Sequence, residues 1–297
     1  MGIEQFIIYD DKSTDGTREF LEAQPDTVIL TSESGFFEKV LCQPSDGKYL
    51  KKSFHHFLIS AIPKFYLGRG YALYADADEF LLLPPQVSNI SSLCNRLRSV
   101  GEVAIVSSLV DFFPEYFSDL TVKTRPKDSL ELFNTYGFFE AAQVADIDRS
   151  GDPVALRPNK LRQLIVDFGM SAEKKWWRRK LETYRRTASP SAMSYKTPIV
   201  CHDARTRYRN SHKVNRRAPR NRLLTMAHFV FTSNSYEKAH CAGQESKNEG
   251  RSDKYKKLLK VINDGVREER SFLGDNSQRF ENVQQLLDAG LMRWPGD

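Results

Sequence analysis

Between two apolar runs, the segment Tyr71–Leu83 places three acids in four positions: Asp76, Asp78 and Glu79. The apolar flanks read as buried strand. Carboxylates cannot be drawn into such surroundings unless a cation joins them. The chain must therefore open a cleft or a turn at this point. Alternation along a strand sends Asp76 and Asp78 to one face. Two carboxylates on one face suit Mg²⁺ or Mn²⁺, hard ions that take one or two carboxylates and complete their shell with water and substrate phosphate. A solvated acidic turn between two strands is the other reading of the same residues.

What surrounds the segment is ordered as alternating strands and helices. Gln5 to Tyr9 predicts a buried strand, followed by Asp10-Asp11-Lys12-Ser13-Thr14-Asp15-Gly16-Thr17. That Ser/Thr/Asp cluster is a helix cap, and the helix continues through Arg18 to Ala23. Strand, acidic loop and helix make half of a βαβ unit, with the loop at the sheet edge where open α/β folds bind ligands. Thr27 to Thr31 is a second strand. Apolar spacing predicts a helix from Tyr49 to Phe65. His55 and His56 lie in it, and adjacent helix positions diverge, so they do not form a ligand pair. Further on, the pattern gives a short helix over Asn89 to Arg98 and a strand over Val103 to Leu109 that leads into Asp111. Residues 115–190 carry aromatic and basic clusters without a clean period. Strand with loop follows over Val200 to Arg209, then an apolar strand over Leu223 to Thr232 containing His228. A polar helix over Glu237 to Ile262 and a short one over Val283 to Met292 close the chain.

Composition narrows the class. With 297 residues, 40% apolar and 28% charged, the chain is of ordinary globular type and can bury a sizeable core. No apolar run is long enough to span a bilayer. The start lacks the basic region of a signal peptide. Cys42, Cys94, Cys201 and Cys241 form no CxxC pair, which points to a reducing, cytoplasmic setting. Cys201-His202 and His240-Cys241 fit no zinc spacing. The net charge of +6 is concentrated in residues 174–180, Arg185-Arg186 and 205–222. Such a field attracts nucleic acid, anionic lipid or phosphorylated small molecules. A nucleic-acid or membrane-surface protein built around Trp176, Trp177, Arg178 and Arg179 is thus a rival reading. It gives no use to Asp-x-Asp at a strand end.

Tyr9-Asp-Asp-Lys-Ser-Thr-Asp-Gly-Thr17 and Ala75-Asp-Ala-Asp-Glu-Phe-Leu81, in that order, resemble the nucleotide-sugar-dependent glycosyltransferases of family 2. The similarity is to the bacterial branch whose metal motif reads Asp-x-Asp-Glu-Phe. Val110-Asp-Phe-Phe-Pro114, Arg207-Tyr-Arg-Asn-Ser-His212, Leu224 to Phe231 and Gly243-Gln244 are similar as well. The resemblance implies a GT-A type three-layer α/β/α sandwich with a mostly parallel central sheet. It implies a catalytic domain over residues 1–235, with a nucleotide-binding half at 1–110 and an acceptor half at 111–235. A helical tail would occupy 236–297. It also implies that the family's first strand and its following loop are missing here, which leaves an inactive, shortened relative as an alternative.

The roles it carries over are specific. Asp11 would face the nucleotide base or ribose. Asp76 would lie by the ribose and metal-bound water, in the metal site with Asp78, the direct ligand of Mn²⁺ or Mg²⁺. His228, or else His212, would complete the metal shell. An inverting enzyme needs a carboxylate that takes the acceptor proton, and Asp111 is the first candidate, ahead of Glu115 and Asp148. The implied partners are a nucleotide-sugar donor and a glycan or lipid-linked acceptor, with peripheral contact at the inner membrane face through residues 174–186 and no nucleic acid.

Overall fold

The structure is a computed structural model that describes residues 2–35, 38–42, 50–167, 194–245 and 249–295. Its first elements are β1 (Phe6–Tyr9), α1 (Thr17–Glu22), β2 (Thr27–Leu30), β3 (Lys39–Cys42), β4 (Leu50–Ser53), α2 (Phe54–Leu67) and β5 (Gly70–Leu73). Next come β6 (Glu79–Leu82), α3 (Ile90–Ser99), β7 (Ala104–Phe113), a 3-10 turn at Phe117–Leu120, α4 (Ser129–Thr135), β8 (Phe138–Glu140), β9 (Ala145–Ile147) and β10 (Pro153–Ala155). The chain continues through α5 (Lys160–Asp167), β11 (Tyr195–His202), β12 (Leu223–His228), α6 (Ser233–Glu245), α7 (Glu249–Arg267), β13 (Ser277–Arg279) and α8 (Gln284–Asp288).

These elements group into two compact units. The first is Met1–Tyr74, Gln86–Ile105 and Thr197–Arg217; the second is Ala75–Pro85, Val106–Lys196 and Ala218–Asp297. The divisions fall inside β7 and β11.

In the first unit β1 and β2 pair in parallel across α1. The loop before α1 is shaped by its acids: Asp10 Oδ1 accepts from Ser13 N–H at 3.1 Å, and Asp15 Oδ1 accepts from Thr17 N–H at 3.2 Å. Gly16 makes the entry at φ 83°, a left-handed conformation that other residues avoid. The helix expected from Tyr49 begins at Phe54, because Leu50–Ser53 is drawn off as a strand antiparallel to β3. Asn89 and Ser92 close a reciprocal capping box at the start of α3, as the Ser/Asn cap predicts. A small core of Ile59, Ala104, Val200, Tyr208 and Val214 holds this unit.

The second unit is built on β12, which lies between β6, antiparallel to it, and β7, parallel to it. All ten residues of β7 are buried, as a strand covered on both faces requires. It runs four residues beyond its expected end at Leu109, since Val110, Phe112 and Phe113 continue the pattern until Pro114. Asp111 is therefore inside the strand and not after it. An aromatic core of Phe112, Phe133, Phe139, Phe229 and Phe280 packs over this strand. The segment after residue 235 joins the same core through Leu258, Val261, Ile262, Phe272 and Leu286, and β13 pairs with β8. Gly265 on α7 meets the Phe117 ring so closely that an added Cβ would lie 2.4 Å from its Cγ.

The fold is mixed α/β, but the expected mostly parallel sheet is not what forms. β3–β4, β5–β11, β6–β12, β7–β8, β8–β13 and β9–β10 are antiparallel; β1–β2 and β7–β12 are parallel. A parallel pair needs a crossover connection, whereas a short turn forces antiparallel pairing. The β9–β10 hairpin, closed by Asp148 with Ser150 and Asp152, is such a turn.

His202, at the end of β11 in the first unit, is fully buried, and neither ring nitrogen has a partner among the described residues. Burial first, then the charge of Lys64, lower its pKa to about 4, with Arg216 adding to the effect and Asp203 opposing it. The folded protein thus holds a neutral ring, while the unfolded chain takes up a proton near the ordinary value of 6.5. Stability from this residue is complete above that value and is lost as pH falls toward 4, by at most ~1.4 kcal/mol per pH unit. Urea unfolding at about pH 7 and about pH 5 should show wild type losing more stability on acidification than His202→Phe; equal losses would contradict it.

Candidate functional site

Strand register assembles the site, which lies wholly in the second unit. The last residue of β12, His228, stands opposite Glu79 on β6 and Asp111 on β7. The three form one row across the sheet, and opposed residues on paired strands share a face. His228 Nδ1 is 2.7 Å from Asp111 Oδ1. An ionised carboxylate only accepts, so Nδ1 carries a hydrogen and donates it. The other ring nitrogen, Nε2, is 3.6 Å from Asp78 Oδ2. Phe229 N–H donates to the Asp78 carbonyl at 2.9 Å and fixes that residue against the end of β12.

A second cluster sits beside it. Asp76 stands in the segment between β5 and β6, and Lys196 near the start of β11. The Lys196 side chain is 0% exposed. Its ammonium donates to Asp76 Oδ2 at 3.1 Å and, more closely, to Glu79 Oε2. Glu79 Oε2 also accepts from Asp76 N–H at 2.8 Å, and Glu79 N–H donates to the Asp76 carbonyl at 3.0 Å. The turn Asp76-Ala-Asp-Glu79 is thus closed from both ends around one lysine.

The four acids consequently differ in environment. Glu79 and Asp111 are each 1% exposed, whereas Asp76 and Asp78 are 45% and 47% exposed. Burial pushes the Glu79 carboxyl up from its ordinary range, with Lys196 pulling against it. Burial also opposes charge on His228. The hydrogen bond to Asp111 and the charges of Asp111, Asp78 and Glu79 outweigh it and raise the imidazole to about 9. The position between Asp78 and Asp111 is therefore strongly negative and favours a cation.

Of the residues singled out by sequence, Asp76, Asp78, Asp111 and His228 are brought together. Asp111 Oδ1 is bonded to His228, and its Oδ2 faces Leu161 N–H at 3.5 Å. Asp76 is engaged by Lys196, which leaves Asp78 as the carboxylate facing His228. Asp11 is exposed in the loop after β1 of the first unit, while its neighbour Asp10 is buried. His212 lies in the first unit, in the hairpin bridged by Tyr208 and Val214. Glu115 is partly buried, and its carbonyl accepts from Phe272 N–H. Asp148 is spent on its turn, accepting from Ser150 and Asp152. Residues 174–186 lie outside the described residues. Lys196 was missed by sequence reasoning, although a lysine within the apolar run Tyr195–His202 is itself a signal: it must find an acid.

Comparison with protein-family models, with curated proteins and with solved structures finds no match to this chain.

Among the described residues, no group of three or more His, Cys, Asp or Glu side chains is gathered as a ready ion cage. Asp78 and His228 nevertheless fit as a pair of donors. Two protein ligands, with water and phosphate for the remainder, is how small divalent ions are commonly held. An imidazole among them favours Mn²⁺ over Mg²⁺. With its pKa raised to about 9 the ring carries a proton on Nε2 near neutral pH, so a divalent ion would have to displace that proton. The Nδ1–H bond to Asp111 would then orient Nε2, as a buried carboxylate orients a metal-binding histidine.

The lysine cluster gives a stability test. Lys196→Met strands Glu79 as an unpaired buried acid and should cost ~3–5 kcal/mol in urea unfolding. The double variant Lys196→Met, Glu79→Gln should recover much of that loss. A double variant as unstable as Lys196→Met alone would contradict the pairing.

Proposed function

We propose that the chain is a glycosyltransferase that moves a sugar from a nucleotide-sugar donor to an acceptor hydroxyl, with a divalent ion on Asp78 and His228. The observation that carries this reading is the line Asp78–His228–Asp111, with donors 3.6 and 2.7 Å apart, at the strand ends beside the Asp-Ala-Asp-Glu-Phe motif. The β1–α1–β2 unit with its acidic loop supports the GT-A type, although the sheet as a whole is mostly antiparallel. The acceptor proposed with it is a glycan or lipid-linked hydroxyl.

The chemistry follows from the charges. Departure of a nucleoside diphosphate builds negative charge on the leaving oxygen, and a divalent ion neutralises it. Asp78 and His228 would hold such an ion, with the Asp78 side chain half exposed and the His228 side chain largely buried. Asp111 acts as a positioning residue: it fixes the ring and its tautomer, and takes no proton from the acceptor. Lys196 engages Asp76 and Glu79 and so would keep them from competing for the same ion. Asp11 keeps a nucleoside role on the strength of its sequence motif alone.

The direct test is a coupled assay of nucleotide release over a panel of sugar nucleotides with Mn²⁺. Activity with at least one donor, abolished by chelation and by Asp78→Ala, is the expected outcome. Calorimetry should show Asp111→Asn with Mn²⁺ affinity weaker by ~10–100-fold and an unchanged fold. Mn²⁺ affinity unchanged in both Asp78→Ala and Asp111→Asn would remove the metal assignment.

A further inference from the structure

The first unit carries a surface that the proposed reaction does not use. The segment Ala204–Arg217 contains Arg205, Arg207, Arg209, Lys213, Arg216 and Arg217 and no acid. It folds as a hairpin, with Arg209 N–H donating to the Lys213 carbonyl at 2.7 Å and Asn215 N–H to the Arg207 carbonyl at 2.9 Å. Burial alternates along it. Thr206 and Tyr208 are buried, while Arg205, Arg207 and Arg209 are exposed. The loop around the Tyr208–Val214 bridge thus leaves three arginines exposed within five residues.

The hairpin is docked on α2. Tyr208 N–H donates to Ser60 Oγ at 3.2 Å, and Tyr208 and Val214 share the small core with Ile59. One turn beyond Ser60 stands Lys64, whose ammonium is held below the ordinary lysine value, by burial first and by Arg207 next. Asp203, the acid at the base of the hairpin, is bound by Arg216. Like charges are therefore crowded here.

Directly after Lys64, the end of α2 turns apolar side chains to water. Phe65 is 84% exposed, and Tyr66 and Leu67 are more than a third exposed. The Phe65 and Tyr66 rings pack edge to face at 5.1 Å, and Arg69 follows. A protruding aromatic pair flanked by cations matches the water–bilayer boundary, where rings enter the headgroup layer and basic residues meet lipid phosphate. Duplex nucleic acid explains the arginines but gives no use to the apolar tip, and a single strand that stacked on Phe65 and Tyr66 would leave Leu67 without a role.

We propose that this surface, the Arg205–Arg209 face with the Phe65–Leu67 tip, docks the protein on an anionic phospholipid bilayer. It stands independently of the transferase reading and does not involve residues 174–186. Among the described residues no helix is long and apolar enough to cross a membrane, so the contact is one of adsorption. Anionic lipid attracts the cations within about a Debye length, and the apolar tip adds an uncharged, salt-insensitive share.

The test is flotation of the full chain with vesicles of phosphatidylcholine, alone or with about a third phosphatidylglycerol. Binding is expected only with the anionic lipid, weakening between about 0.1 and about 0.5 M salt. Replacing Arg205, Arg207 and Arg209 together by Gln should lower partitioning ~100-fold. Phe65→Ser with Leu67→Ser should lower it ~10-fold or more. Circular dichroism should show both variants folded, since every altered side chain is exposed. Neutralising Lys174, Lys175, Arg178 and Arg179 should leave most of the binding in place. Wild-type partitioning by the arginine variant overturns the proposal. So does loss of binding only in the residue 174–179 variant. Tight binding to duplex DNA that ignores Phe65→Ser, with none to vesicles, would assign the surface to nucleic acid instead.

Discussion

One buried ammonium organises the candidate site in the second unit. Lys196 has no exposed surface, and it is shared between Glu79 at the start of β6 and Asp76 at the head of the turn. Buried charges are tolerated only as hydrogen-bonded sets, and removing one member leaves the others stranded. The pairing therefore binds the acidic turn to β11 and fixes where β6 begins. Since β6 pairs residue for residue with β12, the same contact sets the position of His228. Its value lies more in specifying this one arrangement than in net stabilisation, because the desolvation of three charged groups offsets much of their attraction.

With the turn fixed, the acids divide by environment, not by residue type. Glu79 is consumed by lysine. Asp76 is half engaged by it. Asp111, deep in β7, is turned to the back of the histidine ring. Asp78 alone of the motif faces Nε2 from the open side. A negative row of this kind holds positive charge at His228, and the raised imidazole pKa of about 9 expresses the same field that would favour a divalent ion.

Sequence made part of this visible. The strand–loop–helix at Tyr9–Thr17, the cap at Asn89 and the apolar strands at residues 103–109 and 223–232 were legible because each is a local pattern. The acids at 76 and 78 were legible because two carboxylates beside buried strands demand an explanation. Strand direction was not legible: parallel and antiparallel pairing depend on which distant segments meet, and helices lying between strands suggested crossovers that the chain does not all make. The position of Asp111 was not legible for a related reason: its strand extends through Phe113, so the residue stands within β7, in the sheet row beside His228. Lys196 escaped notice because it lies 117 residues from Glu79, a separation no periodicity spans.

The proposed chemistry depends on where a cation binds. Crystals soaked in Mn²⁺ and measured at its absorption edge would locate it directly. The predicted anomalous peak lies about 2.2 Å from both Asp78 Oδ2 and His228 Nε2, with Asp111 still hydrogen-bonded to Nδ1 and Lys196 still bonded to Glu79. A peak held by Asp76 with Lys196 displaced, or a peak away from His228, would contradict it.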